Sequence, residues 1–494
     1  MQFVRSYAQA GRILGFTLLL LLVLLYAVVT GYNPVIGFVL VLPVIYLAFY
    51  YWNHFLITRF FIFTLGFGAF LNLPVTTGGF PISTAIVMTG FILWFVALLF
   101  IKDPDLVMTF FKRPEHLIIS GFLILMLISV KNSKTMVMSV KQMQLFIYCW
   151  LIFFFLQFSL RKREHFDKAI FWVLAAGVVV GLMGLFEVAQ NMSPYQFLGN
   201  KSLLQADVGE MLLNAHPGRI NGLIGDAPFH GIYMIIIACL AMYKFFVELS
   251  SKWKRYSYGA VFLLASVNVF LTASRGALLA LVIAATVMWA YLEIKGKWTI
   301  YAGVVAGGAV LLVLLVLMMP SMDLKRLYSS KSNAGQSSEM RMNNVPIALK
   351  MFADYPVFGT GPEGFLANYR RYAPAYASNA YSKTVMKTHN TPLQVLVEYG
   401  LAGFTLMSLL YLLTMMRMLE LARYLEDKRV RYLALSLLGI LSGYLFFIFT
   451  SNNLFDKNLW MVIALSQCLY TLYACDLKKG GRMKYADVPA KKGG

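Results

Sequence analysis

Ala169-Ile-Phe-Trp-Val-Leu-Ala-Ala-Gly-Val-Val-Val-Gly-Leu-Met-Gly-Leu-Phe186 runs eighteen residues without a charged side chain, and Arg161-Lys-Arg163 stands just before it. As a helix rising 1.5 Å per residue this run is about 27 Å long, close to the roughly 30 Å hydrocarbon layer of a bilayer. Apolar runs of roughly 17 to 25 residues recur on both sides of it. The chain as a whole is 59% hydrophobic and 13% charged over 494 residues. A spanning backbone must satisfy its own hydrogen bonds, and these runs are too long and continuous for barrel strands. The fold class read from this is all-α, a polytopic integral membrane protein. About fourteen transmembrane helices are expected, near residues 13–31, 34–52, 58–73, 82–101, 116–130, 143–160, 168–188, 229–248, 256–273, 276–294, 298–319, 391–417, 431–450 and 458–475.

Basic residues in short loops set the orientation. Arg161-Lys-Arg163, the clusters at 252–255, 295–297 and 423–431, and the 478–484 tail share one side if the span number is even. That side is read as cytoplasmic, with both termini inside. The first run follows Arg5 and Arg12 and lacks a small-residue cleavage site, so it reads as an uncleaved anchor. The net charge of +21 belongs mostly to these inner loops, which favours anionic headgroups over nucleic acid as its cause. The four cysteines lie in or at the ends of spans without CxxC spacing, so neither disulfides nor a zinc site is expected.

The organisation expected is one transmembrane domain over 1–477 and a disordered basic tail over 478–494. Two outer segments, about 189–228 and 320–390, exceed what a connector needs. The second holds nine Lys or Arg against four Asp or Glu, a positive excess on the side where it should be depleted. An anionic ligand accounts for it. Residues 340–352 read as a helix ahead of Tyr355-Pro356, so this loop is expected to fold back as short helices over the membrane face.

Three outer positions carry candidate chemistry. Arg275, in Ser274-Arg-Gly-Ala-Leu-Leu279, stands at a helix turn with Leu279 four residues on, placed to pack while the Arg faces water or substrate. A lone Arg there equally suits snorkelling to headgroups. Arg219 lies in His216-Pro-Gly-Arg-Ile-Asn-Gly-Leu-Ile-Gly-Asp226, where glycines would let backbone amides approach a phosphate and the guanidinium fork would grip its oxygens. His389 is expected to begin a span, with Leu393 and Gly400 on its face docking the helix against a neighbour. An imidazole, with an ordinary pKa near 6.5, accepts a proton near neutrality, and one that only bonds a loop carbonyl is the alternative. Tyr369-Arg370-Arg371-Tyr372 suits either a headgroup anchor or a substrate contact.

Taken in order, Gly218-Arg219-Ile-Asn-Gly222, Ser274-Arg275-Gly-Ala-Leu-Leu279, Asp354-Tyr-Pro-Val-Phe-Gly-Thr-Gly-Pro-Glu-Gly-Phe365 and His389-Asn-Thr-Pro-Leu-Gln-Val-Leu-Val-Glu-Tyr-Gly400 resemble the bacterial O-antigen ligase and polymerase family. The resemblance covers about residues 215–405 and implies a membrane glycosyltransferase of the C-type architecture in the bacterial inner membrane. It implies transfer of a glycan from an undecaprenyl-diphosphate-linked donor to a sugar hydroxyl at the periplasmic side, without metal or other cofactor. The acceptor would be a lipid-linked chain for a polymerase, or lipid A core for a ligase. By motif, Arg219 and Arg275 correspond to diphosphate-binding arginines and His389 to the proposed general base. Arg341 matches a supporting basic position, with Arg370, Arg371 and Asn390 as further substrate contacts. The chain departs from the ligase pattern by about two extra spans and by Asn390 where many ligases have Ser, which tilts the reading towards polymerase.

Two other readings are weighed. Asp103-Pro-Asp105 is a D-x-D pattern, but its expected cytoplasmic loop is too short for a nucleotide-binding domain. A transporter or flippase would place ionisable groups at the midplane on broken helices. Glu187 and Glu398 are the residues to check for that, Glu398 being expected to face away from His389 as a helix-packing residue.

Overall fold

The computed structural model describes residues 111–133, 136–190, 219–248, 250–291, 333–373, 387–452 and 454–486, with scattered residues between 59 and 108. The helices are α1 (Pro114–Ser129), α2 (Met136–Ser159), α3 (Arg163–Gln190), α4 (Ala227–Val247), α5 (Lys252–Leu271), α6 (Arg275–Tyr291), α7 (Asn333–Asp354), α8 (Gly364–Tyr372), α9 (Thr391–Tyr424), α10 (Lys428–Phe447) and α11 (Lys457–Ala486). A three-residue hairpin, Val75–Thr77 against Phe80–Ile82, is the strand structure among the described residues.

Every expected span that falls within the described stretches is a helix. The spans expected at 13–31, 34–52 and 298–319 lie outside the described residues, as does the D-x-D pattern, and those at 58–73 and 82–101 lie mostly outside them. Among the described residues seven helices are long and apolar enough to cross a membrane: α1, α2, α3, α4, α9, α10 and α11. The apolar part of α6, Arg275–Met288, is shorter, and α5 opens with Lys252, Lys254 and Arg255.

Helix starts follow the local chemistry. The side chains of Asp226, Ser251, Asn390 and Asp427 cap α4, α5, α9 and α10, and a proline stands in the first turn of α4 and α9. The core forms around α4, where every residue from 231 to 241 is buried. Close packing comes from small residues, as expected where lipid tails supply no hydrophobic drive between helices. A Cβ on Gly439 or Gly443 of α10 would lie 2.7 or 2.8 Å from the carbonyl oxygens of Ala284 and Ala280 in α6.

The helix ends sort into two faces. On one, Arg163 pairs with Asp476 and lies over the Tyr473 ring, and Arg113 donates to Thr471. A cleft of 750 Å³ there is lined by Arg163, Asp167, Lys244, Asp427 and Arg429 among others. The basic clusters of 161–163 and 423–431 thus share an end, as their spacing predicts.

On the other face α9 is broken. Gly400 has φ 64° and ψ −166°, a conformation open to glycine, and it divides the helix. A break strands backbone groups that hydrocarbon cannot solvate. Here the loop after α7 supplies their partners: the amides of Leu401 and Ala402 donate to the carbonyls of Pro356 and Val357, and those of Thr360 and Gly361 donate to Val397 and Glu398. Closeness demands glycine on both sides, since a Cβ on Gly400 would sit 2.3 Å from Val357 O and one on Gly359 would sit 2.4 Å from Glu398 C. Ser129 and Asn132 then donate to the carbonyls of Phe358 and Gly359, tying the loop to α1. The Asp354-to-Phe365 motif is therefore a plug in a broken helix. Beyond it α7 and α8 build a small second core on α9 from Ile347, Met351, Phe365, Tyr369, Tyr372 and Val397, so the segment between α6 and α9 carries helices of its own.

Candidate active site

Four segments meet at the plugged end: 219–226, 272–275, 387–390 and 448–456. Arg219 Nε donates to the carbonyl of Thr272 at 2.8 Å, holding the guanidinium three residues from Arg275. Gly276 packs on Thr450, whose hydroxyl would lie 2.8 Å from an added Cβ. Residues next to Thr450 reach the approach to His389: Thr391 N donates to Ile448 O at 2.8 Å, and Asn452 Oδ1 accepts from Thr388 Oγ1 at 2.8 Å and from the Asn390 amide at 3.0 Å. Contacts between their neighbours therefore link the segments that carry Arg219, Arg275 and His389.

Backbone strain concentrates here. Among the described residues the non-glycine residues with positive φ are Ala273 (48°), Glu363 (58°) and His389 (49°). Such a conformation costs on the order of 1 kcal/mol or more each and persists only where surroundings impose it. Ala273 precedes Ser274-Arg275, His389 is a candidate itself, and Glu363 lies within the plug motif.

Several expectations change. His389 precedes the Asn390 cap, so it is not in the helix and the wheel that set Glu398 opposite it does not apply. Leu279 is 52% exposed instead of packed, while Ala277, Ala280 and Ala284 form the buried face of α6. Gly400 does allow close docking, but through the break. In the glycine-rich segment the amides of Asn221 and Gly222 donate to Glu187 Oε2 at 3.1 and 2.7 Å, so a carboxylate of the protein takes the place foreseen for a phosphate. Gly222 is small because the His230 ring lies where a Cβ would be, at 2.4 Å. Asn390 caps α9 through Oδ1, 2.9 Å from Leu393 N. Arg370 and Arg371 are exposed on the last turn of α8, Arg371 over the Tyr372 ring. Arg341 falls within α7, and its side chain lies outside the described atoms.

Beside Thr388 lies a cavity of 190 Å³, whose lining includes Glu363, Lys387, Gln394, Glu398, Asn452 and Asp456, together with Phe229, Phe365 and Phe455. Glu398 is 2% exposed and accepts from Gln394 Nε2 at 3.2 Å. Asp456 is 9% exposed and accepts from Tyr444 Oη and the Asn458 amide, and burial pushes its carboxyl up to about 6. Burial likewise raises the Asp226 carboxyl, against the opposing pull of the Phe229 amide and Arg219. Sequence reasoning missed this cavity. Its one signal was the polar set Asn452, Asn453 and Asp456 between two apolar runs.

At this strained end stand two guanidinium groups suited to an oxyanion, an imidazole suited to proton transfer, and a polar cavity next to it. Residues 260–408 match the family model described as Wzy_C: O-Antigen ligase. The matched stretch holds Arg275, the plug and His389. No curated protein matches the chain.

Proposed function

From the match of residues 260–408 to the O-antigen ligase family model, we propose that the chain is a member of the O-antigen ligase and polymerase family and transfers a glycan from undecaprenyl diphosphate to a sugar hydroxyl at the periplasmic face of the bacterial inner membrane, with both its termini cytoplasmic. His389 takes the proton of the attacking hydroxyl as the new glycosidic bond forms. The bond from the anomeric carbon to the diphosphate breaks, and the charge left on the diphosphate is met by Arg219 and Arg275. Positioned cations lower the barrier because that charge grows towards the transition state. The two arginines stand where many glycosyltransferases use a divalent metal, so activity should persist in EDTA.

The observation that supports this reading is that the segments carrying Arg219, Arg275 and His389, far apart in sequence, are linked through neighbouring residues, with strained backbone at Ala273 and His389. A transporter reading expects a transported ion or substrate at a broken helix. The break at Gly400 is filled by the protein's own loop. Arg341 supports the arginines from α7, and Arg370 and Arg371 serve as outer contacts for the glycan or headgroups.

The test is glycan analysis in a strain lacking the gene and complemented with variants. His389→Ala should reduce transfer about 10²- to 10⁴-fold, the range for loss of a general base, with normal protein level and elution profile. Wild-type transfer by His389→Ala or Arg275→Ala would refute the assigned roles. In the deletion strain, single repeat units on the core or lost exopolysaccharide mark a polymerase, which the fourteen expected spans favour. Long polymer left on the carrier lipid marks a ligase.

A further inference from the structure

The cavity beside Thr388 contrasts with the arginine path in charge. Glu363 and Asp456 contribute carboxylates to its lining against the single ammonium of Lys387, Glu398 adds a buried carboxyl group, and neither Arg219 nor Arg275 lines it. A diphosphate is repelled from such a wall and drawn to the arginines. What suits the wall is a ligand with many hydroxyl hydrogens, since ionised carboxylates and amide oxygens only accept. Phe229, Phe365 and Phe455 offer apolar faces to the C–H side of a ring, the mixture of apolar wall and few polar groups that orients small ligands.

A second observation also points to a ligand. Gln394, 8% exposed, donates through Nε2 to Glu398, yet its Oε1 has no hydrogen-bond partner among the described residues. A buried acceptor left without a donor is costly, and a hydroxyl entering the cavity would satisfy it. The volume, 190 Å³, suits about one sugar ring. Thr388 lines the cavity and is followed directly by His389, so a ring held there has its hydroxyls one residue from the proposed base.

We propose that this cavity is a subsite for one uncharged sugar ring of the glycan, held by Gln394, Glu398 and Asp456, and that it rejects rings carrying a carboxylate or phosphate. This rests on the reading of the chain as a glycan-transferring enzyme. The ring belongs either to the acceptor's end or to the donor sugar next to the diphosphate, and the chemistry of recognition is the same for both.

Saturation-transfer NMR on the full-length protein in nanodiscs tests it, with the methyl glycosides of glucose, galactose and glucuronic acid as probes. At least one neutral glycoside should receive saturation, and glucuronate should bind at least tenfold more weakly. Gln394→Leu should weaken the neutral probe about tenfold, and Glu363→Gln, at a half-buried loop position, should narrow the gap to glucuronate. Displacement of the glycoside by undecaprenyl-diphosphate glycan assigns the ring to the donor, and joint occupancy assigns it to the acceptor. Equal binding of glucuronate and neutral probes, or unchanged binding in folded Gln394→Leu and Glu363→Gln, overturns the subsite. Binding is read without turnover, so glycoside binding by a chain that transfers no glycan sinks the proposed function alone, whereas transfer without binding sinks the subsite alone.

Discussion

Glu115 and Glu398 are both buried carboxylates in long apolar helices, 1% and 2% exposed, but they keep different company. Glu115 of α1 accepts from Arg417 Nη1 of α9 at 2.9 Å, and the same nitrogen bonds Gln467 of α11. Three helices are pinned by one neutralised charge. Glu398, and Asp456 near it, join no ion pair among the described residues and instead border a cavity. A buried charge that is paired and enclosed can be wholly structural, whereas buried carboxylates beside open space mark a site that a ligand completes. The same molecule thus spends one carboxylate on holding helices together and reserves others for binding.

Breaking the pair is expected to have the largest effect. Arg417→Leu strands Glu115 and should cost about 3 to 5 kcal/mol, read as a fall in the melting temperature of the detergent-solubilised protein. Glu115→Leu combined with Arg417→Leu should recover most of the loss. A double variant as unstable as the single would mean that the pair is not what Glu115 requires. Next comes the plug. Gly400→Ala brings a Cβ against Val357 O and forces alanine into positive φ, and should cost about 2 to 4 kcal/mol. A variant within 0.5 kcal/mol of wild type, by order of magnitude, would show that the break in α9 is not needed.

A third test sharpens the contrast through pH. Burial lifts the Asp456 carboxyl from an ordinary 3.8 to about 6. Because the native value lies above the unfolded one, the folded state binds the proton more tightly, and stability falls as pH rises from about 4 through 6. At about 1.4 kcal/mol per unit, the loss is on the order of 2 to 3 kcal/mol and is complete above pH 6. Asp456→Asn should flatten this part of the profile, and an unchanged slope would locate the titration elsewhere. The smallest effect is expected for Arg163→Ala at the opposite face. Its pair with Asp476 is roughly half exposed on both sides, so the change should stay under about 1 kcal/mol and shrink in salt.

The helices were legible in the sequence because crossing a bilayer demands long uncharged runs, a signal that α3 or α10 carries without reference to any neighbour. That the basic ends at 161–163 and 423–431 lie together was legible for a similar reason, as such residues gather on one side of a membrane. His389 was found by its motif yet misplaced, since the Asn390 cap that sets the helix start shifts the residue before it out of the helical register. The glycine-rich segment was misread in mechanism. Nothing local says that Glu187, more than thirty residues earlier, takes its amides. The cavity was invisible because its members, from Gln142 to Asp456, come together only by packing.

The sequence by itself determined that the chain carries many helices long and apolar enough to cross a membrane, and that the basic ends at 161–163 and 423–431 share a side, because apolar length and loop charge act residue by residue on the solvent. The tertiary structure alone decided which polar groups are spoken for. Glu115 found a cation, the Asn221 and Gly222 amides found Glu187, and the broken α9 found the plug, while Gln394 and Asp456 were left facing a space. Partner assignment of this kind is a matter of three-dimensional proximity in a medium of low dielectric, where an unmet charge or hydrogen bond is expensive, and no spacing along the chain encodes it.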